Sequence, residues 1–357
     1  MHLREQVPLA PYTTLGIGGP ARWFAEAATE DEVKEAVLFA SDRGLPLFLL
    51  GGGSNILVAD EGFPGLVLHI ALHGSRVEQQ GDLFRVAAGE EWDTFVSQAV
   101  GLGYGGIECL AGIPGTAGGT PVQNVGAYGQ EVSGSVVAVR ALDLETLSFV
   151  ELTPAECGFS YRKSIFNSTR RGRYVVTRVD YRLKKDAPPQ LLYPDLQRYF
   201  AHRDTPPSLA ETAAAVREIR HGKGMLLIEG EADCRSAGSF FKNPVVPQPL
   251  YDRIHAGAGT TVPFYPAAEN SVKIPAAWLL EHAGFHKGFS VGNVGISNRH
   301  TLALINRGGA TARELIELRD RIVATVEARF GVRLEPEPVW VGPGHGELGT
   351  PRQTYPG

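Results

Sequence analysis

A glycine-rich stretch at residues 112–129, GIPGTAGGTPVQNVGAYG, constrains the fold of this chain more than any other segment. Six of these 18 residues are glycine, and two prolines stiffen the path between them. Ile113, Val122 and Val125 predict partial burial, whereas a plain surface loop would be more polar. A segment with so few side chains can lie flat against a large planar ligand while its backbone hydrogen-bonds the ligand's edges. We therefore expect it to contact a ligand.

Composition indicates a globular protein rather than a disordered one. Glycine accounts for 43 of the 357 residues, but glycine and proline together stay below the roughly 25–30% that is typical of disorder. Hydrophobic residues make up 43% of the chain, which is enough for a sizeable core. The length predicts about two or three domains.

Charge and apolar patterning argue against several classes of protein. The net charge of −5 is unfavourable for general binding to nucleic acid, which requires a basic surface. The longest strongly apolar run, residues 45–50, is far shorter than the roughly 20 residues of a membrane-spanning helix. The N-terminus also has no apolar segment of signal-peptide length. We expect a cytoplasmic protein that binds neither nucleic acid nor membrane.

The cysteines and histidines do not form a metal-binding pattern. Cys109, Cys157 and Cys234 lie far apart and include no C-x-x-C pair, so they predict reduced thiols rather than disulfides or a zinc site. His282 and His286 are four residues apart, but no H-E-x-x-H pattern surrounds them. We expect no metal.

Apolar periodicity predicts a mixture of helices and short strands. A capping box at residues 29–32 opens a helix that Gly44 closes, and a buried strand at 45–50 runs into the glycine turn 51–55. A polar, proline-rich segment at 184–208 predicts a linker or mobile loop. The other expected elements are strands within 56–58, 66–90, 132–152 and 173–183, and helices that begin near Trp92, Leu209 and Thr311.

The glycine turn has the features of an anion site. It reads Gly51-Gly52-Gly53-Ser54-Asn55 and is not a P-loop, because no Lys-Ser or Lys-Thr pair follows. Its backbone N–H groups and the two polar side chains suit phosphate oxygens, although a tight turn explains the glycines equally well. A separate G-x-G-x-x-G match at residues 101–106 follows helical spacing rather than a strand, so a plain loop is favoured there.

Two further segments hold candidate reactive side chains. Arg162, in YRKSIF, carries a planar guanidinium beside aromatic residues, which suits a carboxylate, although a surface charge cluster would have the same composition. Ser239, in GSFFKNP, lies outside any G-x-S-x-G motif. Its immediate neighbours favour a turn serine over a nucleophile.

Six segments, taken in order, resemble the UDP-N-acetylenolpyruvoylglucosamine reductase (MurB) family. They are TTLGIGG, LGGGSNILV, GIPGTAGGTPVQNVGAYG, YRKSIF, GSFFKNP and LEPEP. The resemblance runs from about Thr13 to Val341. Tyr193, in LLYPDL, matches the tyrosine in the form of the family whose extra flap closes over the substrate.

The resemblance implies an α+β fold with a two-subdomain FAD-binding unit of the vanillyl-alcohol-oxidase (PCMH) type and a separate α/β substrate-binding domain. The first FAD-binding subdomain is expected at residues 1–70, together with a return segment at 337–357. The second is expected at 71–208, and the substrate-binding domain at 209–336.

The resemblance also implies a reaction in peptidoglycan precursor synthesis. NADPH reduces FAD, and UDP-N-acetyl-enolpyruvoylglucosamine is then reduced to UDP-N-acetylmuramate. Flavin N5 gives hydride to C3, Ser239 gives a proton to C2, and Arg162 and Glu337 stabilise the enolate. The terminal motif reads EPEP, and an extended chain would turn Glu335 and Glu337 to one face, so Glu335 competes for the role of the acid.

By the same resemblance we assign two sets of binding residues. FAD, held without a covalent bond, is expected at Gly51, Gly52, Gly53, Ser54, Asn55, Gly112, Ile113, Pro114, Gly115, Gly118, Gly119, Gln123, Asn124, Gly126, Ala127 and Tyr128. The UDP-sugar is expected at Tyr161, Tyr193, Lys223, Asn243 and His300. We expect the protein to be a monomer.

Two other functions are compatible with part of the sequence. A different flavoenzyme on the same scaffold, such as an alcohol or sugar oxidase, would share the glycine turn and loop but lack YRKSIF, GSFFKNP and the terminal acid. A non-catalytic nucleotide-sugar binding protein would explain the glycines but not the aligned Arg, Ser and Glu.

Overall fold

The structure is a computed structural model that describes residues 1–74, 78–231, 233–267 and 270–343. The remainder of the predicted return segment, beyond residue 343, lies outside the described residues. Three groups of elements follow one another along the chain, each with its own small sheets.

The first group forms a four-stranded sheet covered by one helix. The strands lie in the order β1-β2-β5-β3, with β1 antiparallel to β2 and the other pairs parallel. The elements are β1 (His2–Pro8), β2 (Pro20–Ala27), α1 (Glu30–Asp42), β3 (Leu47–Leu50), β4 (Ile56–Val58) and β5 (Phe63–Ile70).

Helix α1 forms where its capping signal predicts it. The Thr29 side chain accepts a hydrogen bond from the Glu32 backbone N–H at 3.2 Å, and three acidic residues occupy the positively polarised first turn. Its buried stripe, Val33, Ala36, Val37 and Ala40, faces the sheet. The prediction of this helix is confirmed.

The second group is built on a five-stranded antiparallel sheet in the order β12-β11-β13-β7-β6. Trp92, Phe95 and Tyr181 pack ring against ring in its core. The elements are β6 (Glu78–Gln80), β7 (Leu83–Ala87), α2 (Trp92–Gly101), β8 (Tyr104–Gly105), β9 (Gly126–Ala127), β10 (Gln130–Glu131), β11 (Val136–Asp143), β12 (Ser148–Leu152), α3 (Pro154–Cys157), β13 (Tyr174–Arg182), β14 (Lys184–Lys185), α4 (Pro194–Tyr199) and α5 (Leu209–Gly222).

The proline-rich segment 184–208 is not simply the loop predicted. It contains helix α4, which begins at Pro194 with Tyr193 as its N-cap. Proline is tolerated in the first helical turn, where its missing N–H has no partner in any case. The prediction was wrong here because prolines mark helix starts as well as loops.

The third group combines two three-stranded sheets with three helices around a separate core. Helix α8 is capped by the Thr311–Glu314 box and ends at Gly331, as predicted. The elements are β15 (Val245–Pro247), α6 (Gln248–Gly257), β16 (Tyr265–Pro266), β17 (Ser271–Lys273), α7 (Ala276–His282), β18 (Ser290–Val291), β19 (Val294–Ile296), β20 (Leu304–Asn306), α8 (Ala312–Phe330) and β21 (Val339–Val341).

The apolar cores do not follow the chain order throughout. Helix α5, which the sequence-based boundary assigns to the substrate-binding domain, packs into the large core shared by the first two groups. Leu15, Ile17 and Leu57 of the first group belong to the core of the third. Strand β21 returns to pair in parallel with β4. Segments from all three groups therefore meet, and a cleft opens at this meeting point.

Candidate active site

A cleft of about 2360 Å³ contains nearly all of the side chains singled out from the sequence. The glycine turn and the glycine-rich loop line one part of it. Arg162, Ser239 and Glu337 line it as well, and so do Tyr161, Tyr193, Lys223, Asn243 and His300. The fold therefore collects residues that are spread over most of the chain.

The glycine turn and the glycine-rich loop touch each other along one wall. A Cβ built on Gly52 would lie 2.6 Å from the Gly115 Cα, so the two backbones approach as closely as glycine permits. Ser54 Oγ donates to the Pro114 carbonyl at 3.2 Å, and Asn55 Nδ2 donates to Gln123 Oε1 at 2.9 Å. The two segments therefore form one continuous surface.

This wall fits an anionic cofactor with a planar part. Within the described part of the chain, the backbone N–H groups of Gly52, Gly53 and Ser54 donate no hydrogen bond to another backbone carbonyl. A Cβ built on Gly119 would meet only Thr116 Oγ1, at 3.9 Å, because the glycine faces the cleft. Free N–H groups attract phosphate oxygens, and a wall without side chains accommodates a ring system.

Gly112 and Asn124 are the two predicted cofactor residues that do not line the cleft. Asn124 is 1% exposed, and its side chain amide donates to Glu131 Oε2 at 2.7 Å and to the Ser160 carbonyl at 3.1 Å. The Gly112 N–H donates to Asp93 Oδ1 at 2.6 Å. Both residues shape the loop from behind.

Arg162 and Glu337 form an ion pair inside the cleft. Arg162 Nε lies 3.2 Å from Glu337 Oε1, and the Glu337 side chain is only 17% exposed. Burial raises the pKa of the Glu337 carboxyl and outweighs the opposing attraction of Arg162. A carboxyl with a raised pKa can hold a proton where an ordinary one has lost it.

The structure separates the two glutamates of the EPEP motif. Glu335 Oε1 lies 2.6 Å from Lys242 Nζ, and its side chain is 65% exposed. Glu337, in contrast, is only 17% exposed and lies beside Arg162. The two carboxylates therefore have different environments, and Glu337 is the one in contact with the arginine.

Ser239 lies next to His300, and the backbone of the following residue, Phe240, is hydrogen-bonded to the segments that carry His300 and Glu337. The Phe240 N–H donates to the Leu302 carbonyl at 2.8 Å, and the Phe240 carbonyl accepts from the Glu337 N–H at 2.8 Å. These two bonds join three distant segments. They leave Ser239 Oγ 3.2 Å from His300 Nε2.

The predicted substrate residues also line the cleft and make contacts with neighbouring residues there. Lys223 Nζ is 2.5 Å from Asp195 Oδ2, on the helix that Tyr193 caps. The Tyr193 ring packs edge-on against Tyr128 with centroids 5.3 Å apart. Half of Tyr161 is exposed, and Lys273 Nζ lies 4.0 Å from the centre of its ring.

Asn243 also accepts a hydrogen bond at the start of helix α7. Its Oδ1 accepts a hydrogen bond from the Ala276 N–H at 2.9 Å, at the first residue of α7. One of the amide's acceptor positions is thus used by the helix terminus.

Arg220 is a cleft residue that sequence analysis missed. It is 6% exposed and donates to the Gly112 carbonyl at 3.0 Å and to the Met225 carbonyl at 2.7 Å. Burial lowers the pKa of its guanidinium. No motif marks it, because it lies in an alanine-rich amphipathic helix where an arginine is ordinarily a surface residue.

Comparison with known proteins assigns the family. A model of the UDP-N-acetylenolpyruvoylglucosamine reductase C-terminal domain matches residues 230–341, and an FAD binding domain model matches 21–146. The UDP-N-acetylenolpyruvoylglucosamine reductase of Thermobifida fusca is 45% identical over 350 residues, which cover 95% of this chain and 98% of that protein. The chain belongs to the UDP-N-acetylenolpyruvoylglucosamine reductase (MurB) family.

Other members of the MurB family agree with this assignment. The Streptomyces coelicolor reductase is 46% identical over 350 residues, covering 95% of this chain and 90% of its own. The crystal structure of the Thermus caldophilus MurB superposes with a TM-score of 0.66 at 29% identity, covering 95% of this chain and all of that one. The family and the α+β fold with an FAD-binding unit, both predicted from the sequence, are confirmed.

None of the helices in the described ranges is long and apolar enough to cross a membrane. Nor do the described residues include a cluster of three or more His, Cys, Asp or Glu side chains that could hold a metal ion.

Proposed function

We propose that this chain uses NADPH and FAD to reduce UDP-N-acetyl-enolpyruvoylglucosamine to UDP-N-acetylmuramate. The observation that carries the proposal is the partly buried Arg162–Glu337 pair in the same cleft as Ser239. A cation, a carboxyl and a hydroxyl are the groups that reduction of an alkene next to a carboxylate requires. The family assignment supplies the identity of the substrate.

The residues that would hold FAD are those of the continuous glycine wall. The N–H groups of Gly52, Gly53 and Ser54, which donate to no backbone carbonyl in the described part of the chain, suit its diphosphate, and the open face of the loop at Gly119 suits its ring system. When bound, FAD supplies the hydride that NADPH delivers to it. Gly112 and Asn124 would act indirectly, by fixing the loop.

Arg162 would stabilise the charge that develops on the substrate. Hydride addition to the double bond builds negative charge next to an existing carboxylate, so the barrier is high without a fixed cation. The Arg162 guanidinium offers a planar donor pair to that carboxylate. Glu337 keeps the guanidinium in place and, when protonated, can itself donate a hydrogen bond to the enolate.

Ser239 would complete the reaction by giving its hydroxyl proton to C2. A hydroxyl is a weak acid, but an enolate carbon is basic enough to take the proton when the two atoms are held together. The Ser239 oxygen lies in the cleft wall on the same backbone hydrogen-bond network as Glu337. The two groups can therefore act on one bound substrate.

The nucleotide would be bound in the part of the cleft that the predicted substrate residues line. Lys223 provides positive charge for the diphosphate, and Tyr161, Tyr193 and Asn243 provide aromatic and amide contacts. We further propose that the chain acts as a cytoplasmic monomer. We also propose that the two FAD-binding subdomains and the substrate-binding domain are divided as the sequence predicts, except that helix α5 packs with the FAD-binding subdomains.

A spectroscopic titration tests the proposal. The purified protein, supplied with FAD, is expected to show flavin absorbance that bleaches on anaerobic addition of NADPH. UDP-N-acetyl-enolpyruvoylglucosamine should then restore the colour with formation of UDP-N-acetylmuramate, whereas UDP-N-acetylglucosamine, which has no double bond, should not. A protein that binds no flavin, or whose reduced flavin does not respond to the enolpyruvyl nucleotide, would refute the proposed function.

The same titration of the Arg162→Ala variant tests the proposed role of the arginine. We expect FAD retention and bleaching by NADPH to persist, and the return of colour on substrate addition to slow by about 10²- to 10³-fold, as for other fixed donors that stabilise developing charge. Equal losses in both half-reactions would contradict the assigned role of Arg162.

A further inference from the structure

Ser239 and His300 make a contact that the reaction proposed above does not use. Ser239 Oγ and His300 Nε2 are 3.2 Å apart. Among the described residues, the Ser239 hydroxyl makes no other side-chain hydrogen bond. The position and charge of His300 therefore decide how the serine proton is oriented.

His300 is fixed by the backbone around it. Its N–H donates to Ser297 Oγ at 3.2 Å, and its carbonyl accepts from the Ala303 N–H at 3.1 Å. Ser297 is fully buried and donates in turn to Asp233 Oδ2 at 2.8 Å. The same short segment reaches the serine through the bond between Phe240 and Leu302. The imidazole therefore has a defined place relative to Ser239.

The surroundings of His300 keep its imidazole neutral. Burial lowers its pKa to about 4, and the nearby cations Lys223, Lys287 and Arg220 act in the same direction against the smaller opposite effect of Glu281. A neutral imidazole carries one N–H, so Nε2 either accepts a hydrogen bond from the serine or donates one to it.

The two tautomers have opposite chemical consequences. If Nε2 accepts, the serine proton points at the imidazole, which is then placed to remove it, as the histidine base does from the serine nucleophile of the hydrolase triad. If Nε2–H donates to Oγ, the hydroxyl proton is free to point into the cleft. Only the second arrangement suits a serine that must give a proton away.

We propose that His300 is a positioning residue for Ser239: its Nε2–H donates to Oγ, aims the hydroxyl proton at the substrate and stabilises the oxygen that remains. In this step the Ser239 O–H bond breaks, a C–H bond forms at C2, and Oγ carries a negative charge until a solvent proton neutralises it. The inference rests on the proposed function. It differs from the nucleotide contact expected for His300 from the sequence.

Single-turnover kinetics separate these two roles. Enzyme reduced with NADPH is mixed anaerobically with a concentration series of UDP-N-acetyl-enolpyruvoylglucosamine, for wild type, His300→Ala, His300→Gln and the exposed control His286→Ala. For His300→Ala we expect the limiting rate of flavin reoxidation to fall about 10- to 100-fold, as on loss of a hydrogen bond to a charged group. The glutamine amide can donate in place of Nε2–H, so His300→Gln should recover most of the rate.

The solvent deuterium isotope effect on reoxidation distinguishes a role in proton transfer from a purely structural role, because only the former changes it. Slower proton transfer in His300→Ala should raise the deuterium effect on reoxidation above that of wild type. Flavin content and the rate of reduction by NADPH, measured on the same samples, verify that each variant is folded.

Three outcomes would overturn the inference. If the substrate concentration needed for half the limiting rate rises and the limiting rate itself is unchanged, His300 is a nucleotide contact. A limiting rate that falls equally in the alanine and glutamine variants would remove the donor role. An unchanged rate in both would make His300 dispensable. Failure of wild type to reoxidise with substrate is a different result, since it refutes the proposed function itself.

Discussion

Three residues of the candidate site have backbone conformations that non-glycine residues seldom adopt. Asn124, Tyr128 and Arg162 have φ values of 46°, 48° and 55°. Arg162 is held in this state by Asn167, whose Nδ2 donates to the Arg162 carbonyl at 3.1 Å. Such conformations persist only where the surroundings impose them, and they concentrate at functional sites. The direction of the Arg162 side chain is therefore set by its turn.

The proposed proton donor, Ser239, gives the first prediction at the residue scale. We expect Ser239→Ala to be reduced by NADPH at the wild-type rate, because the serine contributes nothing to hydride entry. Its reoxidation by substrate should slow by about 10²- to 10⁴-fold, the usual contribution of a positioned acid. Stopped-flow absorbance of the flavin measures both steps. Wild-type reoxidation would remove Ser239 from the reaction.

The buried acid gives a prediction about pH. Because the pKa of Glu337 is raised on folding, the folded chain binds a proton that the unfolded chain has lost once the pH exceeds the ordinary carboxyl value. The free energy of unfolding therefore falls as the pH rises through this window. Glu337→Gln should remove that loss, so the variant should be more stable than wild type at high pH and equal to it below about pH 4.

Thermal unfolding of the FAD-free protein at several pH values checks this prediction. Glu335→Gln is the matched control, because Glu335 is exposed and paired with Lys242. We expect no stabilisation at high pH from that change. If Glu337→Gln were less stable than wild type at high pH, the Glu337 carboxylate would be a net stabilising group and its raised pKa would be incorrect.

At the scale of elements, the cleft wall formed by the glycine turn (51–55) and the glycine-rich loop (112–129) allows a test of FAD binding by a substitution that clashes with no protein atom. A Cβ on Gly119 would clash with no protein atom, but it would point into the cleft. We expect Gly119→Ala to leave the melting temperature of the FAD-free protein unchanged and to weaken FAD binding by about 1–3 kcal/mol through overpacking.

Isothermal titration with FAD measures this effect. Gly134→Ala is the control, since a Cβ on Gly134 meets nothing within 4 Å and the residue does not line the cleft. Equal FAD affinities for the two variants would mean that Gly119 does not face the cofactor.

Elements with local determinants were predictable from the sequence. Helices α1 and α8 begin at their capping residues because those side chains satisfy the first N–H groups of the helix wherever the chain lies. Helix α4 was missed because a proline-rich segment is compatible with both a loop and a helix start. The motifs and the family resemblance therefore predicted which residues line the cleft. They did not predict the contacts that these residues make with distant parts of the chain.

Tertiary contacts decide what the sequence left open. The choice between Glu335 and Glu337 depends on which of the two meets Arg162, and no local pattern contains that information. Arg220 became a cleft residue only once its helix was packed against the Gly112 loop. Likewise, the His300 contact with Ser239 follows from a backbone bond between remote segments.

At the scale of the whole molecule, Asn306 connects the first group of elements to the third. It is 3% exposed and donates to the carbonyls of Leu15 and Gly16 at 2.9 and 3.3 Å. Its Oδ1 accepts from the N–H groups of Gly308 and Ala310. A single side chain thus satisfies four backbone groups.

We expect Asn306→Ala to destabilise the protein by about 1–3 kcal/mol, because it leaves buried polar groups without partners. Urea unfolding followed by circular dichroism measures the change. The exposed Asn298 supplies the control: Asn298→Ala keeps the backbone bond from residue 298 to Asp233 and should have little effect. A small effect of Asn306→Ala would mean that water replaces its bonds.

The return of β21 to β4 has a consequence for how the enzyme is made. Asn55 donates to the Glu337 carbonyl across a separation of 282 positions, and the next residues pair strand to strand. A ribosome that has synthesised both glycine segments, Arg162 and Ser239 has still not produced Glu337. Nascent chains can thus form the proposed cofactor surface early, but if Glu337 acts as proposed, turnover must wait until translation has passed β21.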